Sequence, residues 1–387
     1  MIRAGRSLGL SQDRFDVVYH LRGDRTQIDQ MAQDITVEQT IEFPADLIDC
    51  DDDISQQIVG RIESTEKLSE ELWSVVISFA VEVTGFTLPQ LMNVVFGNIS
   101  IKPDIRVARL ENLPESLLRH FKGPRFGVSG LRNLVGEAKR ALLCTALKPM
   151  GLSSKQLAQQ AYEFAMGGMD FIKDDHGLAN QPFSPFRERV EQCAQAVARA
   201  NQKTGFNCRY VPSLSSAYET FLDDARFAKQ CDVGGLLIAP GLVGFDAMRM
   251  IADNDSIALP VLGHPSFVGS YAISANNGLS HSVLFGQLMR LAGADTSIFP
   301  NYGGRFSFSK GECRAIADAT GSDMAHIKTN LPSPGGGMTL DRVPELLDFY
   351  GNDIMLLIGG ALHRGTHGLV KTCIEFREMV ETNAANN

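Results

Sequence analysis

The sequence predicts an α/β protein, a (β/α)8 TIM barrel preceded by an α+β domain of split βαβ, ferredoxin-like type. Three observations carry that prediction. From Leu142 onward, short apolar runs alternate with amphipathic helical stretches. Eight such units in about 245 residues match the size of a closed barrel. The apolar runs are continuous rather than alternating, which marks a parallel sheet covered on both faces. The residues before about 137 lack this rhythm and form their own domain. The division expected is therefore 1–137 for the α+β domain and 138–387 for the barrel. A doubly wound open sheet is the alternative, but unit count and length favour the barrel.

In the first domain, Phe15 to Leu21, Ser74 to Val81 and Ile105 to Leu110 read as strands, with helical stretches near Thr26 to Met31 and Thr87 to Val95. Pro114 to Pro124 holds a linking helix. The first barrel strand is Leu142 to Leu147, followed by a helix that Ser153 can cap. The second is Met169 to Lys173, the third Cys208 to Val211, the fourth Gly235 to Ala239, and the fifth Leu259 to Gly263. The sixth is Thr296 to Phe299, the seventh lies near Ala325 to Thr329, and the eighth is Ile354 to Ile358.

Composition excludes several functions. Net charge is -9 and no arginine-rich tract occurs, so nucleic acid is not an expected partner. Seven cysteines are scattered without a CxxC pair, which fits a reduced protein rather than a disulfide framework or zinc site. Met1 to Gln12 lacks the apolar core of a signal peptide, and no run approaches the roughly 18 apolar residues of a membrane span. The expectation is a cytoplasmic protein without a membrane partner.

Barrel enzymes build their sites at the C-terminal ends of the strands. Here strand one ends at Lys148, strand two at Lys173, Asp174, Asp175 and His176, and strand five at His264. Strand seven runs into Ser333, Gly335 and Gly336, and strand eight into Gly359 and Gly360. Alternation places Lys173 and Asp175 on one face, with Asp174 and His176 on the other. A solvated, charged loop is the plain alternative for any one of these groups, but not for all of them on one rim. Backbone N–H groups of glycine turns beside helix starts bind phosphate, which makes the ends of strands seven and eight a phosphate site. Asp175 offers hard oxygens of the kind magnesium prefers. Lys173 can ligate only as a carbamate, or serve as a base if its pKa is depressed.

With these residues placed, the chain resembles the RuBisCO large-chain superfamily over nearly its whole length. The resemblance rests on Leu147 to Ser153 and on Gly167 to Asp175, with support from Phe96-Gly97-Asn98, Gly123-Pro124, Gly335-Gly336 and Gly359-Gly360. It implies roles. Lys173 would become carbamylated by CO2 and bind Mg2+ with Asp175. Lys148 would handle enolate protons and His264 would lie near the substrate. Asn98, from a partner subunit, would contact metal or substrate. Ser333, Gly335, Gly336, Gly359 and Gly360 would hold a phosphorylated substrate. The implied unit is a homodimer whose sites are shared between subunits.

The departures are informative. His176 stands where carboxylases carry a glutamate ligand, and imidazole suits magnesium poorly. The loop Asn301 to Ser307 has no lysine, and Gln33 falls near the position of an N-terminal glutamate. CO2 fixation is therefore not expected, and the chain is similar to the RuBisCO-like proteins. Related enolases use a lysine at the position of Asn98, and an amide cannot abstract a proton. The resemblance also extends to a group that acts on 3-oxo-isoapionate-4-phosphate; decarboxylation of it, or of a related β-keto acid phosphate, needs only an electron sink and a proton donor, so this lyase reaction is the first expectation the resemblance implies. The alternatives are 2,3-diketo-5-methylthiopentyl-1-phosphate enolase, methylthioribulose-1-phosphate isomerase, and a non-catalytic phosphosugar sensor.

Overall fold

Strand and helix follow one another in the expected order in a computed structural model that describes residues 7–49, 51–306 and 308–386. Cys50, Ser307 and the first residues of the Met1 to Gln12 stretch lie outside them. The chain forms two units. One runs up to Lys122 and takes in Val268–Leu288 and Asp323–Ile327; the other comprises Gly123–Phe267, Met289–Ser322 and Lys328 onward.

In the first unit, strand Arg14–Arg22, helix Arg25–Glu38, strands Arg61–Lys67 and Leu72–Ala80, helix Leu88–Phe96 and strand Ile105–Glu111 follow in order. Numbered one to four, the strands lie side by side as 4-1-3-2, the split βαβ arrangement. Gly278–Leu279 adds a parallel edge beside Ile105–Glu111. Arg61–Lys67 escapes the sequence reading because its residues are almost all exposed, so no apolar face announces an edge strand.

The second unit is an eight-stranded parallel barrel. Its strands are Leu142–Leu147, Phe171–Asp174, Arg209–Val211, Leu236–Ile238, Val261–Gly263, Thr296–Pro300, Leu331–Gly335 and Met355–Ile358. They are paired in ring order, and the bridge Ser213–Leu237 joins the third to the fourth. Leu142, Cys144, Phe171, Val211, Leu237, Leu262, Ile298, Leu331 and Met355 fill the interior. Helix Gly127–Val135 closes the lower end by adding Leu131 and Val135 to that core. Burying each such side chain contributes about 1.5–3 kcal/mol.

Strand seven lies later than the sequence indicates. Leu331-Pro332-Ser333-Pro334-Gly335 reads as a loop, yet it pairs with strand six from Thr296–Leu331 to Pro300–Gly335. Prolines 332 and 334 have no N–H, and only Gly335–Leu357 pairs with strand eight. The helix between strands six and seven, Lys310–Gly321, also escaped the reading. Ser309 and Glu312 form its capping box. No helix among the described residues is long and apolar enough to cross a membrane.

Candidate active site

The barrel pattern determines which side chains reach the mouth. Cys144 and Phe171 face inward, so two-residue alternation brings Ala146 and Lys148 up one strand and Lys173 and Asp175 up the next. Leu262 similarly leads to His264, and Leu331 to Ser333 and Gly335. The predicted Lys173, Asp175, Lys148 and His264 therefore do converge. Helix Ser154–Met166 fixes the base of Lys148. Gln160 on that helix accepts from the Lys148 N–H at 2.8 Å and donates to its carbonyl at 2.7 Å.

Lys148 Nζ lies 3.2 Å from Asp175 Oδ1, and His176 Nδ1 lies 3.4 Å from the same oxygen. Burial disfavours the Asp175 charge. The His176 hydrogen bond and the neighbouring Lys148 and Lys173 outweigh it and hold the carboxyl well below the usual carboxylate range. Lys173 is buried, and its Nζ donates to the carbonyl of Asp174 at 3.1 Å. Burial above all, and to a lesser extent the Lys148 charge, push its amine pKa down against the pull of Cys144 and the two aspartates.

His264 receives the N–H of Ser266 on Nδ1 at 3.2 Å, with the Ser266 hydroxyl 2.9 Å from the same nitrogen. That hydrogen bond places the ring proton on Nε2. Burial above all, then Lys173 and His176, hold the imidazole pKa well below its ordinary value, so His264 is a neutral Nε2–H donor.

His176 corrects the alternation argument. Strand two ends at Asp174, so His176 does not follow Asp174 to the outer face. Its ring stacks on His264 with centroids 4.9 Å apart and planes 11° from parallel. Asp174 does turn outward, into a buried network with Arg189 and Tyr210 that the sequence did not signal.

The glycine turns at strands seven and eight remain open. Gly336 and Gly337 have φ of +97° and +67°, a conformation that favours glycine. A Cβ on Gly359 or Gly360 would meet nothing within 4 Å. Ser333 is buried on the inner face, and its hydroxyl oxygen has no hydrogen-bond partner among the described residues. A Cβ on Gly304 would come within 3.0 Å of Gly336, so the loops after strands six and seven meet backbone to backbone. Arg342 ties them, donating to Gly337 O at 2.9 Å and Tyr302 O at 3.5 Å.

Asn98 lies in the first unit, opening the turn Asn98–Ile101, and donates to Glu38 at 3.0 Å. His326 Nε2 donates to Phe121 O at 2.9 Å. Among the described residues no group of three or more His, Cys, Asp and Glu is arranged to hold a metal.

Residues 127–304 match the family described as ribulose bisphosphate carboxylase large chain, catalytic domain. The chain is 39% identical over 350 residues to ribulose bisphosphate carboxylase-like protein 1 of Rhodopseudomonas palustris, covering 90% of this chain and 93% of that one. It is 39% identical over 351 residues to 5-methylthioribulose-1-phosphate isomerase of Rhodospirillum rubrum, covering 90% and 91%. A 2,3-diketo-5-methylthiopentyl-1-phosphate enolase of Bacillus licheniformis is 30% identical, with 94% and 90% covered. Among solved structures, a Rubisco-like protein from Rhodopseudomonas palustris superposes with a TM-score of 0.86 at 38% identity, over 95% of this chain and 97% of that one.

Proposed function

This chain belongs to the RuBisCO large-chain family as a RuBisCO-like protein, and from that premise we propose that it isomerises a phosphorylated ketose by moving a proton through an enolate. The relative named as an isomerase supports the reaction class. The observation that carries the reading is the uneven charge of the mouth. Glycine turns suited to one phosphate lie after strands seven and eight. The loops after strands three, four and five, at residues 212–217, 239–244 and 264–267, carry no lysine or arginine. A second phosphate or a sugar carboxylate would lack a cationic partner there, whereas an uncharged group fits. This moves the balance away from the β-keto acid decarboxylation expected first and toward a substrate such as methylthioribulose-1-phosphate. The enolase reaction remains the second reading, on the enolase relative.

The residues fit a magnesium ion in one respect. Asp175 supplies a hard oxygen, and Asp174 is already saturated by protein donors. The uncharged amine of Lys173 would form a C–N bond to CO2 and lose a proton, giving a carbamate whose oxygens add the missing anionic ligand. His176 stands close enough to contribute a nitrogen. When bound, Mg2+ supplies stabilisation of negative charge on the substrate's carbonyl oxygen.

The remaining work falls to side chains. Lys148 carries the proton between carbon and solvent, held beside Asp175. His264 donates Nε2–H to a substrate oxygen without itself becoming charged. Ser333 and the N–H groups of Gly335, Gly336, Gly359 and Gly360 hold the phosphate. Asn98 of a second copy contributes an amide that orients rather than abstracts. The exposed apolar side chains Met150, Phe183, Tyr218, Leu242, Phe267 and Phe306, each after a different barrel strand, support a homodimer that covers this face.

NMR in D2O tests the reading with three substrates: methylthioribulose phosphate, a diketo-pentyl phosphate and a β-keto sugar-acid phosphate. Isomerisation of the first, with no CO2 from the third, is expected. CO2 release from the third overturns the assignment in favour of a lyase. Turnover of the second alone makes the protein an enolase.

A further inference from the structure

Asp174 sits between the two residues assigned to the metal, yet its side chain leaves the site. It is fully buried, and three groups donate to it. Arg189 Nε lies 3.0 Å and the Ser213 N–H 3.1 Å from Oδ2, and the Tyr210 hydroxyl lies 2.8 Å from Oδ1. Arg189 is equally buried and spends its other nitrogens on backbone. Nη1 donates to Ser184 O at 2.7 Å and Nη2 to Ala179 O at 2.8 Å. Between those anchors and Asp174 runs the segment that carries Asp175 and His176. Inside the barrel, the Asp174 carbonyl accepts from Lys173 Nζ at 3.1 Å.

A wholly buried ion pair is a costly way to gain stability. Desolvating two charges offsets most of their attraction, and apolar pairs of similar volume often do as well. What such a pair supplies well is direction, since a guanidinium donates along fixed vectors. From this geometry we infer that the Asp174–Arg189 pair is a positioning device. It clamps the end of strand two, the middle and far end of the following loop and the start of the loop after strand three. It thereby sets where Lys173 Nζ and the Asp175 carboxylate stand. Asp174 and Arg189 are positioning residues, not catalytic ones, and the inference rests on the site assignment above.

The test uses the full chain and three variants: Arg189→Lys, Asp174→Asn, and the double variant Asp174→Asn with Arg189→Met. The double variant removes both charges, so no lone buried charge remains to unfold the protein. Hydrogen exchange of the amides in residues 175–185 is expected to quicken by about tenfold in the double variant while the barrel strands stay protected. Turnover of methylthioribulose phosphate should lose about 100-fold in kcat with KM within about twofold, because misplacement by an ångström acts on the reacting geometry. Arg189→Lys should recover neither, since one ammonium cannot reach Asp174, Ala179 and Ser184 together. Unchanged exchange in 175–185, or full kcat in the folded double variant, overturns the inference and leaves the pair as packing. If the wild type turns over no phosphoketose, the functional reading fails by itself. The exchange measurement still decides whether the pair holds the segment.

Discussion

At the lower end of the barrel the Arg140 guanidinium meets Asp170 twice, at 2.7 and 2.8 Å, and both residues are buried. At the mouth Lys148 meets Asp175 once, at 3.2 Å, with its side chain 44% exposed. Asp295 extends the lower pattern, accepting the N–H groups of Phe126, Gly127 and Val261 at 2.6, 2.8 and 2.9 Å. Each charge below has its partners in protein and ties helix Gly127–Val135 and the strand starts together. The polar groups above have spare capacity: an amine with one hydrogen bond, an imidazole N–H, a serine hydroxyl without a partner among the described residues. The same apolar cylinder thus separates charge that closes the fold from charge left for a ligand.

Four experiments can break or sharpen that division. The largest effect is expected from Lys148→Met, which should lower turnover by about 10⁴-fold, the upper range for a proton-transfer group. Retained deuterium exchange into the substrate by this variant would remove Lys148 from its role. Next, Arg140→Met leaves Asp170 buried with Arg377, at 3.6 Å, as its one remaining ion-pair partner among the described residues. Urea unfolding should show a loss of about 3–5 kcal/mol. The kcat per folded molecule should be unchanged, and a collapse of kcat would mean that the two ends are not separate in function.

Third, Lys173→Ala should weaken Mg2+ binding in bicarbonate buffer by about 100-fold by calorimetry. Equal affinity with and without bicarbonate in the wild type rejects the carbamate. Fourth come the two buried titrating groups, whose slopes oppose one another. His264 has a folded pKa below its unfolded value, so the unfolded chain takes the proton first and stability is lost as pH falls below about 6.5. Asp295 is pushed up to about 6 by burial, so its stabilisation is full below about 3.8 and is lost as pH rises through 6. Each contributes up to about 1.4 kcal/mol per pH unit, and where their windows overlap below about pH 6 the two slopes oppose. His264→Asn should expose stability that falls with rising pH, and Asp295→Asn the reverse. Denaturation midpoints across that window check both signs.

Much of this was legible in the chain itself. Strand one, Leu142–Leu147, coincides with its apolar run, and the Gly167 to Asp175 segment indicated the charged end of strand two. Lys173 and Asp175 followed from counting by twos, and Lys148 and His264 from their places at the ends of strands. The seventh strand did not, because Pro332, Pro334 and Gly335 look like a turn until the neighbouring strand supplies the partners. His176 was misplaced because alternation stops where the strand stops. The Asp174–Arg189 contact joins residues fifteen apart through a helix that folds back on its strand, which no local pattern encodes. Gln160 was likewise hidden, since a glutamine on a helix surface carries no hint that it grips the backbone of Lys148.

Helix Gly127–Val135 has a consequence for traffic. With Leu131 and Val135 beneath the side chains that fill its interior, the barrel is a packed core rather than a channel. A molecule held at the C-terminal rim of the strands would therefore arrive and depart on the same side, and its departure would set how soon the next could be loaded.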